Sequence, residues 1–328
     1  MNVHAWGVKD DDRGPPFNEL LGVAQRGLTL KPKRLPSWLF YDERGSALFE
    51  QICQQPEYYL TRCEIALMAE HVESIAAALG NEVRLVEYGS GNARKTGMLL
   101  QHLHDPVAYV PVEISSGPLR QSVARLAMEF PQLQLQPLCA DFSKPLRLPI
   151  ASRAPRRTVL YFPGSTIGNF ENRDAIEMLR KMRNEMGDAG GILIGVDLKK
   201  DPGVIEAAYN DHAGVTAQFT LNMLARLNRE IGSDFELSAF SHRARYNPMA
   251  GRVETHLVSR RRQQVKVGRA KVGFGEGETI HVEYSCKYSL ADFAALAAKA
   301  GLAVVRVWTD AQQMFSVQYL VRTSLAAR

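Results

Sequence analysis

The sequence predicts an α/β fold in which a doubly wound, mostly parallel sheet ends in an antiparallel hairpin and is interrupted by a long insertion. Three observations support this prediction. Apolar, strand-like segments alternate with helical patterns up to about Leu198. The first of these strands runs into a glycine-containing turn. The last two strand segments, Ala303 to Trp308 and Phe315 to Arg322, have a short connection, and strands joined in this way are antiparallel.

The first strand and its turn comprise Val83 to Asn92, with the sequence VRLVEYGSGN. Glycine permits a tight turn off the strand and lets a ligand approach the amides at the start of the next helix, which the apolar spacing predicts from Ala93 to Leu103. In open α/β sheets, nucleotides bind at this position. The turn is not the G-x-G-x-x-G of dinucleotide-binding folds, because Arg94 occupies the third glycine position.

Acidic residues end the next two predicted strands. The second strand, Val107 to Ile114, contains Glu113, which is spaced from the glycine turn so that it can accept hydrogen bonds from a ribose diol. The third strand, Leu133 to Leu138, is closed by Asp141 and Phe142. A carboxylate can accept from the exocyclic amine of adenine, and an aromatic ring can pack on the face of the base.

The remaining strands of the sheet are predicted over Thr158 to Phe162 and Gly191 to Leu198, with a helix from about Arg173 to Met186 between them. The segment from about Lys200 to Lys287 is too long for a crossover. It begins with one helical stretch, Val204 to about Ile231. Four strands are predicted after it: Phe235 to Arg245, Arg252 to Ser259, Gln264 to Val267 and Glu278 to Tyr288. A helix capped by Ser289 then returns the chain to the sheet.

The composition is that of a globular protein, with 45% hydrophobic and 23% charged residues among 328 and a net charge of +5. No apolar stretch reaches membrane-spanning length, and the N-terminal MNVHAWGVKDDDRGPP lacks the apolar core of a secretory signal, so we expect no membrane association and no export. The four cysteines have neither metal-site nor disulfide spacing, so we expect thiols in a reducing cytoplasm and no metal. The basic cluster from Arg260 to Lys271 alternates with valines and lacks aromatic residues, which indicates a solvated strand face rather than a nucleic-acid contact.

Six polar and aromatic strings occur in order along the chain. They are F-Y-D-x-x-G-S, P-E-Y-Y-x-T-R, G-S-G-N-A-R-K-T, G-S-T-I-G-N, A-G-V-T-A and E-x-S-x-K-[FY], found at Tyr41, Tyr58, Gly89, Asn169, Val215 and Glu283. In these strings the chain resembles one family, the L-histidine Nα-methyltransferases of ergothioneine biosynthesis. The E-x-G-x-G form of the glycine turn also resembles motif I of S-adenosylmethionine-dependent methyltransferases. The resemblance extends from about Pro36 to Arg322.

This resemblance implies a class I methyltransferase (Rossmann-like) fold with an inserted α+β substrate-binding domain. We expect residues 62–199 and 289–328 to form the domain that binds S-adenosylmethionine, and residues 15–61 and 200–288 to bind the substrate. The residues implied to hold the cofactor are Gly89, Lys95, Glu113, Asp141 and Phe142. Those implied to hold the amino-acid end of histidine are Tyr58, Asn169 and Tyr209, with Tyr41 and Gly164 lining the path to the amine.

Glu283 and Ser285 are implied to hold the imidazole. Residues i and i+2 of a strand face the same side, roughly 6.5–7 Å apart, so one carboxylate and one hydroxyl can engage the two ring nitrogens. Without the resemblance, an alternative is favoured in which Glu283, Ser285 and Lys287 form the solvated face of an ordinary strand. In that alternative Tyr284 and Cys286 face inward.

One position departs from the family pattern. Many members have Met in the E-M-x-L strand, whereas this chain has Thr255 in Glu254-Thr255-His256-Leu257. If the shorter, more polar Thr255 side chain lines the pocket, it changes the packing around the ring.

The function implied is the trimethylation of the α-amino group of L-histidine to hercynine by S-adenosylmethionine. We expect no dedicated catalytic base, because the pKa of an α-amino group is about 7.7–8.0 in a peptide and only somewhat higher in a free amino acid. We also expect a monomer. Two other hypotheses stay open: a methyltransferase of the same architecture acting on another amino acid or small amine, and an RNA-binding or regulatory module that uses the sheet only as a scaffold.

Overall fold

The structure, a computed structural model, describes residues 17–91 and 93–323. Three parts of the predicted elements lie outside the described residues: the start of segment 15–61, Asn92 of the glycine turn, and residues 324–328 of the last segment. Among the described residues, no helix combines the length and the apolar character needed to cross a membrane.

Helices and strands are labelled here in chain order. The helices are α1 (Phe17–Thr29), α2 (Glu43–Ile52), α3 (Tyr59–Leu79), α4 (Arg94–His102), α5 (Ser116–Glu129), α6 (Asn172–Glu185), α7 (Pro202–Ala207), α8 (Val215–Ile231) and α9 (Leu290–Lys299). The first seven strands are β1 (Lys33–Arg34), β2 (Val83–Tyr88), β3 (Ala108–Glu113), β4 (Gln134–Leu135), β5 (Leu138–Cys139), β6 (Arg157–Phe162) and β7 (Gly191–Asp197). The others are β8 (Phe240–Asn247), β9 (Arg252–Ser259), β10 (Gln263–Val267), β11 (Ala270–Phe274), β12 (Thr279–Cys286), β13 (Leu302–Thr309) and β14 (Phe315–Arg322).

The chain divides into two compact units and passes from one to the other after residues 59, 199 and 286. The first unit contains residues 60–199 and 287–323 and is built on an eight-stranded sheet. Its strand order is β13-β14-β7-β6-β2-β3-β4, with β5 also paired to β3. The strands from β2 to β7 pair in parallel, whereas β14 runs antiparallel to both β7 and β13. The predicted class I methyltransferase sheet with its antiparallel terminal hairpin is therefore confirmed.

The strand order places the glycine turn at a defined point of this sheet. From β2 the chain moves outward to β3 and β4 on one side and returns to β6 and β7 on the other. Ligands of open α/β sheets bind at the carboxyl ends of strands where the order reverses in this way. Every residue of β7 is buried, as expected for a parallel strand that is covered on both faces.

The third predicted strand is wrong in detail. Instead of one strand over Leu133 to Leu138, the structure has the two short strands β4 and β5, both paired to β3. Pro137 lies between them and has no N–H to donate to a strand ladder, which explains the interruption.

The second unit contains residues 17–59 and 200–286. Its four-stranded sheet has the order β1-β12-β9-β8, and β10 and β11 form a separate hairpin. The hairpin buries Val265, Val267 and Val272 and exposes Lys266 and Lys271, so the solvated strand face predicted for this part of the basic cluster is confirmed. Strands β1 and β11 were not predicted; β1 has only two residues, too few for a periodic pattern.

The single helical stretch predicted from Val204 to Ile231 is also wrong. It consists of α7 and α8, separated by residues 208–214. The Asp211 carboxylate accepts the N–H groups of Val215 and Thr216 at 2.7 and 2.8 Å and thereby caps α8. Gly214, with φ of +71°, supplies the left-handed residue at the start of that helix.

Candidate active site

The turn after β2 has left-handed backbone at three of its described positions. Gly89 and Gly91 have φ of +71° and +46°, and Ala93, directly before α4, has φ of +50°. The N–H of Gly89 donates to the carbonyl of Val112 at 2.9 Å, which anchors the turn to β3. A Cβ built on Gly91 would meet no atom of the described residues within 4 Å. The turn therefore exposes backbone next to a helix N-terminus, where the helix dipole and amides favour negatively charged groups.

Glu113 connects the end of β3 to this turn. One of its oxygens accepts the N–H of Gly91 at 3.3 Å, and the other accepts the N–H of Ile114 at 2.9 Å. Burial raises the pKa of the Glu113 carboxyl above its ordinary value, despite these hydrogen bonds. The predicted ribose acceptor thus lies directly beside the glycine turn.

Asp141 and Phe142 follow β5. The Asp141 carboxylate accepts from the backbone N–H and the hydroxyl of Ser143, at 2.8 and 2.6 Å. The Phe142 ring stacks on Tyr88, with centroids 5.5 Å apart and an interplanar angle of 12°. A Cβ on Gly89 would lie 3.8 Å from the Phe142 ring. The Phe142 ring therefore lies beside the turn, and Tyr88 covers one face of that ring.

A buried acid lies under the turn. Glu87, in β2, accepts from the hydroxyls of Thr96, at 2.6 Å, and Tyr109. Burial raises its pKa to about 7. Because Thr96 lies in the first part of α4, the Glu87 carboxyl holds the start of that helix against the sheet.

The predicted residues Lys95 and Gly164 are brought together by a residue that sequence analysis missed. The Lys95 ammonium is 2.5 Å from one carboxylate oxygen of Glu64, in α3. Both oxygens of Glu64 accept the N–H of Gly164, at 3.0 Å each. The Glu64 side chain is fully buried. Its only sequence signal is its place two residues after the P-E-Y-Y-x-T-R string.

The loop after β6 has two consecutive left-handed residues, Gly164 with φ of +75° and Ser165 with φ of +58°. The Ser165 hydroxyl accepts the N–H of Asp197 at 2.9 Å, and a 3-10 turn over Thr166–Asn169 follows. The Asp197 carboxylate pairs with Lys287 at 2.6 Å, and both side chains are fully buried. Asn169 is therefore carried by a loop that the ends of β6 and β7 hold in place.

In the second unit, three predicted substrate residues come together. The rings of Tyr58 and Tyr209 have centroids 6.3 Å apart. The Tyr209 and Ser285 hydroxyls share a hydrogen bond of 2.7 Å, and both residues are buried. Burial raises the pKa of the Tyr58 hydroxyl well above its ordinary value.

Tyr41 contacts the rings of Phe49 and Phe219 edge-on, at centroid distances of 5.9 and 5.7 Å. The Asp42 carboxylate next to it caps α2 by accepting the N–H of Gly45 at 2.7 Å. A Cβ on Gly45 would lie 1.7 Å from the Phe40 carbonyl oxygen, so only glycine fits. The D-x-x-G part of the F-Y-D-x-x-G-S string is thus explained by local structure, which leaves Tyr41 as its candidate site residue.

A β-bulge decides which side chains of β12 share a face. His281 pairs with His256 and Glu283 pairs with Thr255, so the register shifts by one residue between them. Neighbouring residues of β9 face opposite sides, and therefore His281 and Glu283 also face opposite sides. The His281 ring instead packs on Tyr284, at a centroid distance of 3.9 Å.

Glu283 and Ser285 lie beyond the bulge on one face, paired with Thr255 and Val253. Ser285 and Lys287 are 5% and 2% exposed, so the alternative in which they belong to a solvated strand face is wrong. Thr255, directly opposite Glu283, is 3% exposed, and within the described residues its hydroxyl has no hydrogen-bond partner.

The predicted residues therefore form two groups, one in each unit. The first unit carries Gly89, Lys95, Glu113, Asp141, Phe142, Gly164 and Asn169. The second unit carries Tyr41, Tyr58, Tyr209, Glu283 and Ser285.

Sequence comparison relates the chain to characterised proteins. Residues 21–322 match the family described as "Histidine-specific methyltransferase, SAM-dependent". Histidine N-alpha-methyltransferase of Mycolicibacterium smegmatis is 39% identical over 302 residues, which cover 90% of this chain and 92% of that protein. Ergothioneine biosynthesis protein 1 of Neurospora crassa is 30% identical over 85% of this chain and 32% of that protein. N-methyltransferase fsqC of Aspergillus fumigatus is 28% identical over 91% of this chain and 82% of that protein.

Proposed function

Because the chain belongs to the histidine-specific, S-adenosylmethionine-dependent methyltransferases, we propose that it methylates the α-amino group of L-histidine three times. The product is hercynine, and the reaction is a step of ergothioneine biosynthesis. The observation that carries the proposal is the family match over residues 21–322, which spans both groups of candidate site residues.

The first unit fits S-adenosylmethionine. The left-handed Gly89 and Gly91 and the open space around Gly91 allow a ligand to approach the backbone closely. We assign cofactor binding to Gly89, Lys95, Glu113, Asp141 and Phe142. When bound, the cofactor supplies a methyl group on a positively charged sulfur.

The second unit supports the assignment of the imidazole to Glu283 and Ser285. These residues share one strand face, and the hydrogen bond between the Tyr209 and Ser285 hydroxyls orients the Ser285 side chain. A carboxylate and a hydroxyl on one face offer partners to both nitrogens of an imidazole. Tyr58, Tyr209 and Asn169 then hold the amino-acid end of the substrate.

Proton transfer requires no dedicated base in this proposal. The high pKa of Tyr58 keeps its hydroxyl protonated near neutral pH, so it serves as a hydrogen-bond donor. The α-amino group of a free amino acid, with a pKa somewhat above about 7.7–8.0, loses its proton to water at small cost. Tyr41 and Gly164 contribute by positioning the neutral amine, and positioning is the main contribution that a protein makes to such a transfer.

We also infer that the enzyme acts as a monomer in the cytoplasm. One chain supplies both groups of candidate residues, and all four cysteines are free thiols. Light scattering of the purified protein tests the first inference, and fractionation of the cells that express it tests the second.

The deciding experiment is mass spectrometry of products after incubation with S-adenosylmethionine and a pool of amino acids. We expect histidine to be consumed, with mono-, di- and trimethylated forms appearing in succession. Methylation of another pool member, with histidine unchanged, would overturn the proposal.

A second candidate is N-methylation of another amine. The similarity to N-methyltransferase fsqC, over 91% of this chain, is the observation that favours it. The same pool distinguishes the two candidates if it includes aromatic amino acids and simple amines beside histidine.

A further inference from the structure

Glu64 is a buried acid to which neither the resemblance nor the sequence pattern assigns a role. Its oxygens accept the N–H of Gly164 at 3.0 Å, and one of them lies 2.5 Å from the Lys95 ammonium. These partners stand 100 and 31 residues from it in sequence. Glu64 therefore joins the loop after β6 to the helix after the glycine turn.

The surrounding structure leaves room for this carboxylate. A Cβ built on Gly195, in β7, would lie 2.6 Å from Oε1 of Glu64 and 3.2 Å from the nitrogen of Gly164. Any residue larger than glycine at position 195 would displace the carboxylate or the loop. Because an unpaired buried charge is costly, the Lys95 ammonium and the Gly164 N–H are also what permit Glu64 to be buried.

The contact with Gly164 has a chemical consequence. Gly164 has left-handed backbone and is exposed, and its N–H is occupied by Glu64. Its carbonyl oxygen is then the polar group that it can present to an amine. The Glu64 carboxylate holds the peptide plane between Pro163 and Gly164. The left-handed backbone of Gly164 links this plane to the next one, which carries the Gly164 carbonyl.

We propose that Glu64 is a positioning residue for methyl transfer: one buried carboxylate sets both Gly164, on the path to the amine, and Lys95, at the cofactor. This inference rests on the proposed function, since it takes the roles of Gly164 and Lys95 from it. Oε2 acts on the cofactor side through Lys95. Both oxygens act on the amine side through Gly164, and Oε1 is the one that lies against Gly195.

Glu64→Gln separates the two contacts. The amide oxygen still accepts the Gly164 N–H, but the negative charge that anchors Lys95 is lost. We expect calorimetry to show S-adenosylmethionine binding weakened by about 10-fold, and kcat at saturating cofactor to stay within about 2-fold. Glu70→Gln, at an exposed position of the same helix, is the matched control and should change neither quantity.

Gly195→Ala perturbs the other contact and leaves every charge in place. The added Cβ displaces Oε1 and the loop, so kcat should fall about 10-fold while cofactor affinity changes less than about 3-fold. Gly273→Ala in β11 is the matched control, because an added Cβ there has no neighbour within 4 Å in the part of the chain that the structure describes.

Opposite responses of affinity and kcat in the two variants support the positioning role, because a purely structural residue would lower both together with the melting temperature. Unchanged or tighter cofactor binding in Glu64→Gln, or unchanged kcat in Gly195→Ala, overturns it. Should the wild-type protein bind S-adenosylmethionine without methylating histidine, the proposed function fails. The calorimetric comparison of Glu64→Gln with Glu70→Gln still decides the role of Glu64 in that case.

Discussion

The two groups of candidate residues are built in different ways. In the first unit, most residues assigned to the cofactor lie at or directly after strand ends, and backbone conformation defines the turn there, as at Gly89 and Gly91. In the second unit, the residues assigned to the substrate are placed by side-chain contacts, such as the hydrogen bond between Tyr209 and Ser285, 76 residues apart. A backbone-defined site is visible in a local sequence pattern, whereas a side-chain-defined site depends on the complete fold.

This difference implies that the two binding functions are separable. Substitutions in the second unit should change histidine affinity and leave cofactor affinity intact, and substitutions at the strand ends of the first unit should do the reverse. Asn169 is the informative exception, since it lies in the first unit but is assigned to the substrate.

The largest effect is expected for Glu283→Ala. Losing a charge-assisted hydrogen bond costs about 1.5–3 kcal/mol, so the KM for histidine should rise about 10- to 100-fold. Cofactor affinity should not change. Steady-state kinetics with calorimetry measures both, and Glu276→Ala, an exposed acid of the turn before β12, is the control.

The substrate selectivity of Glu283→Ala provides a second, sharper test of the same assignment. An aromatic ring that places no N–H donor at the Glu283 carboxylate gives this acceptor no hydrogen bond, and the resulting penalty disappears in the alanine variant. Selectivity for histidine over phenylalanine and tryptophan should therefore fall. If it survives unaltered, the ring is recognised elsewhere.

Glu113→Ala and Asp141→Ala should weaken S-adenosylmethionine binding by about 10-fold or more, a factor comparable to or slightly smaller than the KM change expected for Glu283→Ala. Histidine affinity should not be affected directly. Glu113→Ala also removes the acceptor for the Gly91 N–H, so we expect it to be the more severe of the two. Calorimetry on both variants is the measurement, and unchanged affinity in both would refute the cofactor assignment.

Glu113 also predicts a pH dependence of cofactor binding. Because burial raises its pKa, the carboxylate becomes protonated at a higher pH than an ordinary glutamate and then loses an acceptor. Affinity for S-adenosylmethionine should therefore fall as the pH is lowered through that pKa. The Glu113→Gln variant, which cannot titrate there, should lack this part of the dependence.

Asn169→Ala should weaken histidine binding by about 2- to 10-fold, the usual range for a neutral hydrogen bond. Cofactor affinity should stay nearly the same. Asn172→Ala, at the exposed start of α6, controls for the loss of an amide nearby. Weaker cofactor binding with unchanged histidine binding would mean that Asn169 belongs to the cofactor site.

The smallest effect is expected for Thr255→Val. The buried Thr255 hydroxyl has no partner within the described residues, so its removal should raise the free energy of unfolding by about 1 kcal/mol. The KM for histidine should change less than about 3-fold. Thermal unfolding and kinetics check both values, and a 10-fold rise in KM would mean that the hydroxyl contacts the substrate.

The sequence by itself determined the sheet and the candidate cofactor turn. Apolar runs predicted β2, β6, β7 and the terminal hairpin, since a buried strand needs only a local apolar segment. Glycines at the end of β2 predicted a tight turn, and the structure forms it with left-handed backbone that few other residues adopt. The six strings determined the family, but the strings alone did not say which of their residues serve local structure, as Asp42 and Gly45 do.

Only the tertiary structure decided the contacts between distant segments. The β-bulge that turns His281 away from Glu283 has no periodic signal, and α7 and α8 separate where Asp211 caps a helix inside a continuous helical pattern. The buried pair of Lys287 and Asp197 and the carboxylate of Glu64 were invisible for a physical reason. In a sequence, a charged residue predicts a solvent-exposed side chain. Only the folded structure brings close the opposite charge or the N–H group that makes burial of the charge tolerable.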